Sequence, residues 1–351
     1  MCGLSDSNIF VSKDSSTPNS ISNLPIIDKN YTNISYNNFT NYICGVGKID
    51  RVIDFSSCEE LLIPLGGAMD KICILYNESV YLLKFDKPNS SATISEYIAS
   101  RLCNYLHLPC QEVLLGYYKG RRCCAIKSFN NYGLSIHCYK EINDSSVVGY
   151  VNDVSDIPYN LNNIKDVIIN YKNCRDSVDD RLNAFQVMCL FDTVIGNFDR
   201  HWGNWGLLGT EKDYIICPLF DNGSSLFPSR DIKDLSCIND SVEELMKRVY
   251  TFPTSQIRNS HNNKKMSYKD LVINLVELFG DNVLRSFVEL FESVDLKDLI
   301  FNDYLLNEFL CEEEKEFLFL IINLRFEILV KGVFIDAWIS IWFMRKWICG
   351  L

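Results

Sequence analysis

Apolar positions come in short strand-length blocks over the first third of the chain and change to a helical period from about residue 160. Lys71 to Tyr76 reads as a strand, Asn77-Glu78 as a turn and Val80 to Phe85 as the paired strand. Such a hairpin puts the Gly66-Gly67 turn and Lys84 on one small sheet. Pro88-Asn89-Ser90-Ser91 leads into a helix predicted from about Ala92 to Leu106. One of its faces carries Ile94, Ile98, Arg101 and Tyr105; another carries Ala92, Glu96, Ala99 and Cys103. The second strip is small residues around one acid, which allows close approach to the sheet while Glu96 reaches across. Val113 to Tyr118, a turn at Gly120 and Cys123 to Ile126 form a second predicted hairpin. Leu182 to Ile195 is apolar nearly all round, so it predicts a buried helix, stopped by Gly196-Asn197. Further helices are predicted at about 240–250, 268–279, 281–292, 306–328 and 333–348, with an exposed loop at 255–265. Residues 1–40, rich in Ser and Asn, read as a loose lead-in, and 41–60 as short segments with room for an edge strand.

Composition narrows the class. A chain of 351 residues can bury a large core and fits two lobes. Hydrophobic content of 47% and mean hydropathy of -0.01 are ordinary for a globular protein. A net charge of -11 argues against direct nucleic-acid binding, which needs clustered Lys and Arg, and would tolerate a basic substrate or partner. The fifteen cysteines are odd in number, include the adjacent Cys123-Cys124, show no Cys-x-x-Cys spacing and sit largely in apolar runs. They read as reduced thiols in a reducing, cytoplasmic compartment, with delivery to another cell left open. No basic region followed by an apolar run marks a secretory leader. The aromatic run from Ala337 to Trp347 reads better as a buried closing helix than as a membrane-surface one.

The chemistry concentrates in Asp199-Arg200-His201-Trp202-Gly203-Asn204 and, after the strand-like run Tyr214 to Phe220, in Asp221. Asp199 offers a base; Asn204 and Asp221 offer hard oxygen ligands for Mg²⁺. Phosphoryl transfer needs these parts: a carboxylate to accept the hydroxyl proton, and oxygens to hold metal on the phosphates.

The order Asp-x-His-x-x-Asn, strand, Pro-x-Phe-Asp resembles the HipA family of protein-kinase-like Ser/Thr kinases, and Asp-Arg-His-x-x-Asn also resembles the catalytic loop of phosphoinositide kinases. Ordinary protein kinases place His-Arg before the catalytic Asp, so their motif does not fit. Gly67-Ala68-Met69-Asp70-Lys71 resembles the family's nucleotide loop, Tyr81 to Phe85 its strand with the ATP lysine, and Ser95-Glu96-Tyr97 the helix with the glutamate partner. The resemblance spans roughly residues 60 to 230. It departs at Pro64, which stands where some members carry a regulatory Ser, so autophosphorylation there is excluded. With about sixty residues ahead of the Gly loop, the chain looks like the shorter, stand-alone members.

The resemblance implies an α+β, bilobal protein-kinase-like fold: a β-rich N-lobe at 41–130 and a larger helical C-lobe at 131–351. It implies ATP and Mg²⁺ as cofactors and a protein acceptor bearing Ser or Thr. Asp199, Lys84 and Glu96 are the expected catalytic group. Gly66, Gly67, Ala68 and Lys84 would hold the phosphates. The backbone of Lys127, Ser128 and Phe129, as the hinge, would hold adenine. Lys71 reads equally as a second phosphate contact or a strand-flanking charge. His201 is placed beside the cofactor and reads better as a neutral imidazole bracing the loop than as a metal or acid–base group. Arg200 is open between a phosphate contact and a solvated charge. Trp202 and Trp205 read as loop-anchoring core, and Asp192 as a structural, hydrogen-bonded acid. The alternatives are a phosphoinositide or small-molecule kinase, and a nucleotide-binding toxin-type module acting through a DNA-binding antitoxin.

Overall fold

The computed structural model describes residues 51–63, 70–139, 158–171, 174–210, 213–229 and 232–335. The lead-in at 1–40, Pro64, Gly66, Gly67, Ala68 and the Ala337–Trp347 run lie outside these described residues. Six strands form the first sheet: β1 (Ile53–Asp54), β2 (Glu59–Leu61), β3 (Lys71–Tyr76), β4 (Ser79–Phe85), β5 (Val113–Tyr118) and β6 (Arg121–Lys127). Their order is β1-β5-β6-β4-β3-β2, antiparallel throughout except for the β1–β5 pair. Both predicted hairpins are present. Asn77 and Glu78 make the first turn at φ 45° and 61°, the left-handed backbone that a tight two-residue turn requires.

Strand alternation decides where Lys84 points. Tyr81, Leu83 and Phe85 enter a small core with Phe55, Ile74, Leu114 and Ala125. Side chains one residue apart face opposite sides of a strand, so Lys84 leaves by the other face. On that face lies α1 (Ala92–Tyr105), whose strip of Ala92, Glu96, Ala99 and Cys103 is buried as expected. Ile94, Ile98, Leu102 and Leu106 join the main core, which continues through the helical lobe. Asp86 caps α1 from the end of β4: its carboxylate accepts from the Thr93 N–H (3.0 Å), the Thr93 hydroxyl (2.7 Å) and Arg122 Nε (2.7 Å). At the other side α1 is tied to the second lobe, where the Tyr97 and Tyr105 hydroxyls donate to Asp303 (3.0 Å) and Asp298 (2.7 Å).

A turn of 3-10 helix (Phe129–Tyr132) leads to a second, three-stranded sheet of β7 (Ser135–Cys138), β8 (Gly206–Thr210) and β9 (Asp213–Ile216). Helices α2 (Leu161–Asn170) and α3 (Val178–Ile195) precede β8. The α3 helix starts four residues before the apolar run, because Ser177 Oγ accepts the Asp180 N–H at 3.1 Å and two aspartates favour its first turn. Gly196 ends it at φ 63°, and a side chain there would also press on Pro253. Beyond come α4 (Ile232–Asn239), α5 (Val242–Tyr250), α6 (Tyr268–Phe279), α7 (Asn282–Glu292), α8 (Leu296–Phe301), α9 (Tyr304–Phe309) and α10 (Glu312–Arg325), which widens into a π turn at Phe326–Lys331. The single helix predicted over 306–328 is therefore broken. Leu310 is extended (φ -124°, ψ 141°), and Glu314 reaches back to the Cys311 N–H at 3.1 Å to start a new helix. The strand expected over 214–220 ends at Ile216; Leu219 instead pairs with the backbone of Pro109 and Gln111 at 2.9 Å each.

The molecule is thus a bilobal α+β protein, a small β-rich lobe against a larger helical one. Among the described residues no helix is long and apolar enough to cross a membrane. Cys73, Cys124 and Cys189 are buried free thiols packed as core.

Asp86→Ala removes three bonds at the α1 N-terminus and should lower stability by about 1–2 kcal/mol, as loss of a helix cap does. A urea midpoint shifted down at unchanged slope would show it; an unmoved midpoint would mean Asp86 is not the cap.

Candidate active site

Lys84 is only 5% exposed, and its ammonium lies 2.7 Å from Glu96 Oε1 and 2.7 Å from Asp221 Oδ1. Burial alone would lower its pKa, but the Asp221 and Glu96 carboxylates outweigh that and hold it well above the usual lysine range. Glu96 spends its second oxygen on the Asn222 N–H at 2.8 Å. One glutamate therefore fixes both the lysine and the backbone next to Asp221. Gly223 makes room for this: a Cβ there would stand 3.2 Å from Glu96 Oε1. Asp221 itself sits at φ 53°, and its side chain is 24% exposed. Burial pushes its carboxyl up, but Lys84 more than compensates and the net shift is down.

Arg200 is neither solvated nor a free phosphate contact. It is buried, and all five of its N–H donors are used. Nε and Nη2 clamp Asp192 at 2.9 and 3.0 Å, Nη1 donates to the carbonyls of Asn204 (2.8 Å) and Phe220 (2.6 Å), and Nη2 also reaches Asn222 Oδ1 (2.5 Å). Asp192 is the structural acid anticipated from its place in an apolar helix. The Arg200 carbonyl accepts from the Tyr159 hydroxyl at 3.1 Å, which in turn accepts from Trp205 Nε1 at 2.7 Å.

Around this hub the loop residues take defined poses. Asn204 donates its Nδ2 to the Asp199 carbonyl at 2.9 Å. Neither Asn204 Oδ1 nor Asp221 Oδ2 has a hydrogen-bond donor among the described residues. Two uncommitted hard oxygens on segments tied to one guanidinium suit a cation that completes its shell with water and phosphate oxygens, as Mg²⁺ does. The charge balance agrees: two carboxylates, Glu96 and Asp221, share the single Lys84 ammonium, and the Asp221 charge also acts on Asp199. Burial raises the Asp199 carboxyl; His201 opposes the shift and the Asp221 charge adds to it. His201 Nδ1 accepts the Gly203 N–H at 2.9 Å, so the ring braces the loop. Trp205 stacks on Tyr139 at 4.9 Å as core, whereas Trp202 is 39% exposed and meets Tyr159 edge-on, 6.2 Å between rings.

The structure does not leave the whole Lys127–Phe129 backbone available to a base. The Lys127 N–H donates to Glu112 O (3.0 Å) and its carbonyl accepts from Gln111 Nε2 (2.8 Å). The Ser128 N–H donates to Val80 O (2.9 Å), and its carbonyl accepts from Asn131 Nδ2 (2.8 Å). Phe129 is buried edge-on against Phe220, 6.3 Å between rings. Lys71 lies directly across the β3–β4 ladder from Lys84, on the same sheet face. An apolar cavity of about 240 Å³ between Phe185, Met188, Trp205, Leu219 and Phe220 lies behind the loop and includes none of Lys84, Asp199 or Asp221 in its lining.

A small curled sheet whose buried lysine pairs with a glutamate on the helix packed against it, beside a helical lobe carrying an Asp–Asn loop, defines a protein-kinase-like fold. Residues 63–281 match the family described as HipA-like C-terminal domain, and the chain belongs to that family. It is 31% identical over 295 residues to the serine/threonine-protein kinase CtkA of Helicobacter pylori (strain J99), covering 78% of this chain and 85% of that one. The crystal structure of a Helicobacter pylori proinflammatory kinase CtkA superposes with a TM-score of 0.71 at 30% identity, over 81% of this chain and 97% of that chain. A weaker likeness, TM-score 0.48 at 14% identity, is to the Shewanella oneidensis MR-1 complex of HipA, HipB and operator DNA, too distant to bear on partners. At the level of the family, the chain is kinase-like.

Replacing Arg200 by Lys keeps the charge but leaves three donors for five acceptors. Breaking such a buried network should cost about 3–5 kcal/mol. Chemical denaturation would measure it, and a loss under 1 kcal/mol would mean the hub is dispensable.

Proposed function

We propose that the protein transfers the γ-phosphoryl group of ATP, with Mg²⁺, to a Ser or Thr hydroxyl of a protein. The observation that carries this reading is the buried Lys84–Glu96–Asp221 cluster tied through Arg200 to the loop of Asp199 and Asn204. Lys84 steadies the phosphates, and Glu96 keeps it aimed. Lys71, on the same sheet face, adds a second positive charge toward the same anion, and the Gly66-Gly67-Ala68 segment would cover the phosphates. Asn204 Oδ1 and Asp221 would hold the metal, which supplies charge neutralisation on the phosphates when bound.

Asp199 orients the acceptor hydroxyl and takes its proton as the new O–P bond forms and the bridging O–P bond to the leaving ADP breaks. A raised carboxyl pKa makes it a stronger base than an ordinary aspartate. The rest of the acceleration comes from holding reactants in line and from charges fixed before the reaction starts. With the Lys127 and Ser128 backbone engaged inside the small lobe, adenine recognition falls to Phe129 within the expected hinge and not to those four groups.

Asp199→Asn should reduce phosphoryl transfer about 10²–10⁴-fold, the usual contribution of a general base. Incubation of the purified protein with γ-labelled ATP, Mg²⁺ and a generic protein acceptor reads this directly. Label that survives in the variant would remove Asp199 from the mechanism. Because the native carboxyl is raised, its ionisation weighs against the fold at neutral pH, so the variant should unfold no earlier than the parent.

The pH dependence has a definite sign. The active form has Asp199 ionised, and its folded-state pKa lies above the ordinary aspartate value. kcat/KM should therefore fall as pH drops through that raised value, at higher pH than an unperturbed Asp would allow. A profile flat down to pH of about 4, where a free Asp titrates, would contradict it.

A further inference from the structure

Acid is absent from Leu245 through Lys269, a stretch of 25 residues with six Lys or Arg, in a chain with 45 Asp and Glu against 34 Lys and Arg. Its middle, residues 255–266 between α5 and α6, is an ordered hairpin that carries Arg258, Lys264 and Lys265. Ser255 N–H donates to Met266 O, and Met266 N–H to Ile257 O, each at 3.0 Å, and Arg258 bridges Lys265 in antiparallel fashion. The hairpin is strapped to the catalytic loop. Gln256 Nε2 donates to the Phe198 carbonyl, the Tyr268 hydroxyl to the Asn197 carbonyl, and the Arg258 N–H to Tyr159 O at 2.8 Å. Phe198 and Asn197 immediately precede Asp199, and Tyr159 holds the Arg200 carbonyl. Lys264 and Lys265 are exposed at its tip and make no ion pair among the described residues. Arg258 bonds the Asn263 carbonyl at 2.6 Å, which stiffens the tip. Beside the hairpin, half-exposed Phe252 packs on Phe198, 5.8 Å between rings, and exposed Trp202 stands on the same loop as Asp199.

A basic element rigidly attached to the residues preceding the proposed base lies on the acceptor side of the chemistry. The remainder of the surface is net acidic and repels an acidic chain, so attraction concentrated here would also set its direction of approach. The charge of Lys265 reaches Asp199, where it works against the burial that raises the carboxyl. We propose that the 255–266 hairpin is the acceptor-recognition element and selects polypeptides whose Ser or Thr is flanked by acidic residues, with Lys264 and Lys265 reading the acid and Phe252 and Trp202 offering apolar contact. The inference rests on the phosphoryl-transfer reading and names its substrate class.

The test uses the full chain with Mg²⁺, ATP and three matched Ser peptides carrying Asp/Glu, neutral or Lys/Arg flanks, beside vesicles containing a phosphoinositide. kcat/KM should favour the acidic peptide about tenfold over the neutral one, mostly through KM, and the preference should shrink with added salt, since each exposed pair contributes only a few-fold. Lys264→Glu with Lys265→Glu should invert the preference, and Lys264→Ala with Lys265→Ala should abolish it. Both lysines are exposed, so neither variant should change thermal unfolding. Transfer with no charge preference, a preference for basic flanks, a preference unmoved by both variants, or preferred labelling of the lipid would overturn the inference while leaving phosphoryl transfer standing. No transfer to any acceptor would remove the kinase reading and this inference together.

Discussion

Arg200 is buried, so none of its five N–H groups can turn to bulk water and each must find an oxygen within the protein. The oxygens it finds come from three different stretches of chain: Asp192 on α3, the carbonyl of Asn204, and Phe220 with Asn222. A planar guanidinium offers these donors in a fixed fork, so satisfying them sets the relative positions of the three stretches. Asp192 makes the burial affordable. The guanidinium lowers a carboxyl that burial alone would raise further, and the carboxylate keeps the arginine charged. The oxygens proposed to hold the metal thus take their places from a residue that itself touches no substrate.

A second buried cation acts nearby in a different way. Arg325 has no carboxylate partner among the described residues; it donates to Thr193 O at 2.7 Å and Arg248 O at 3.0 Å, carbonyls in the last turns of α3 and α5, with the Tyr268 ring 5.0 Å away. Helix C-termini carry partial negative charge, and this takes the place of a counter-ion. The compensation is incomplete, since burial pushes its pKa down to about 10 and its Nη2 has no hydrogen-bond partner among the described residues. The end of α3, from which the Asp199–Asn204 loop departs, is therefore held by one arginine from within the loop and another from behind it.

The two lobes meet through α1, and Glu96 is where the connection becomes chemical. One of its oxygens belongs to Lys84 on the sheet, and the other to Asn222 beside Asp221. The Tyr97 and Tyr105 contacts to Asp303 and Asp298 hold the same helix to the second lobe, and burial together with Asp298 pushes the Tyr105 phenol up to about 12. The helix is thereby set at a fixed depth between sheet and loop. Two carboxylates share the Lys84 ammonium, so the pair around it is net negative, the condition that Lys71 and a bound divalent cation would relieve.

Local pattern was enough for the β3–β4 and β5–β6 hairpins, α1 and α6, because alternation, helical period and turn residues are properties of neighbours along the chain. It was also enough to single out Lys84, Glu96, Asp199, Asn204 and Asp221, whose residue types suit one chemistry and whose order resembles one family. Asp192 was legible as a buried acid in need of a partner, but nothing local showed that Arg200, eight residues on, would supply it. Long-range closure decided what the period could not express. The helix predicted over 306–328 breaks at Leu310 because a local cap at Cys311 competes with its apolar period, and the run to Phe220 leaves its strand to pair with Pro109 and Gln111. The backbone of Lys127 and Ser128 was open to adenine by position and is spent on Glu112, Gln111, Val80 and Asn131, partners that only the folded lobe brings near. The sequence by itself determined the two hairpins, α1 and α6, and the residues whose order carries the family resemblance. Only the tertiary structure decided which donors and acceptors remain free, because a hydrogen bond between distant residues depends on the packing of everything between them.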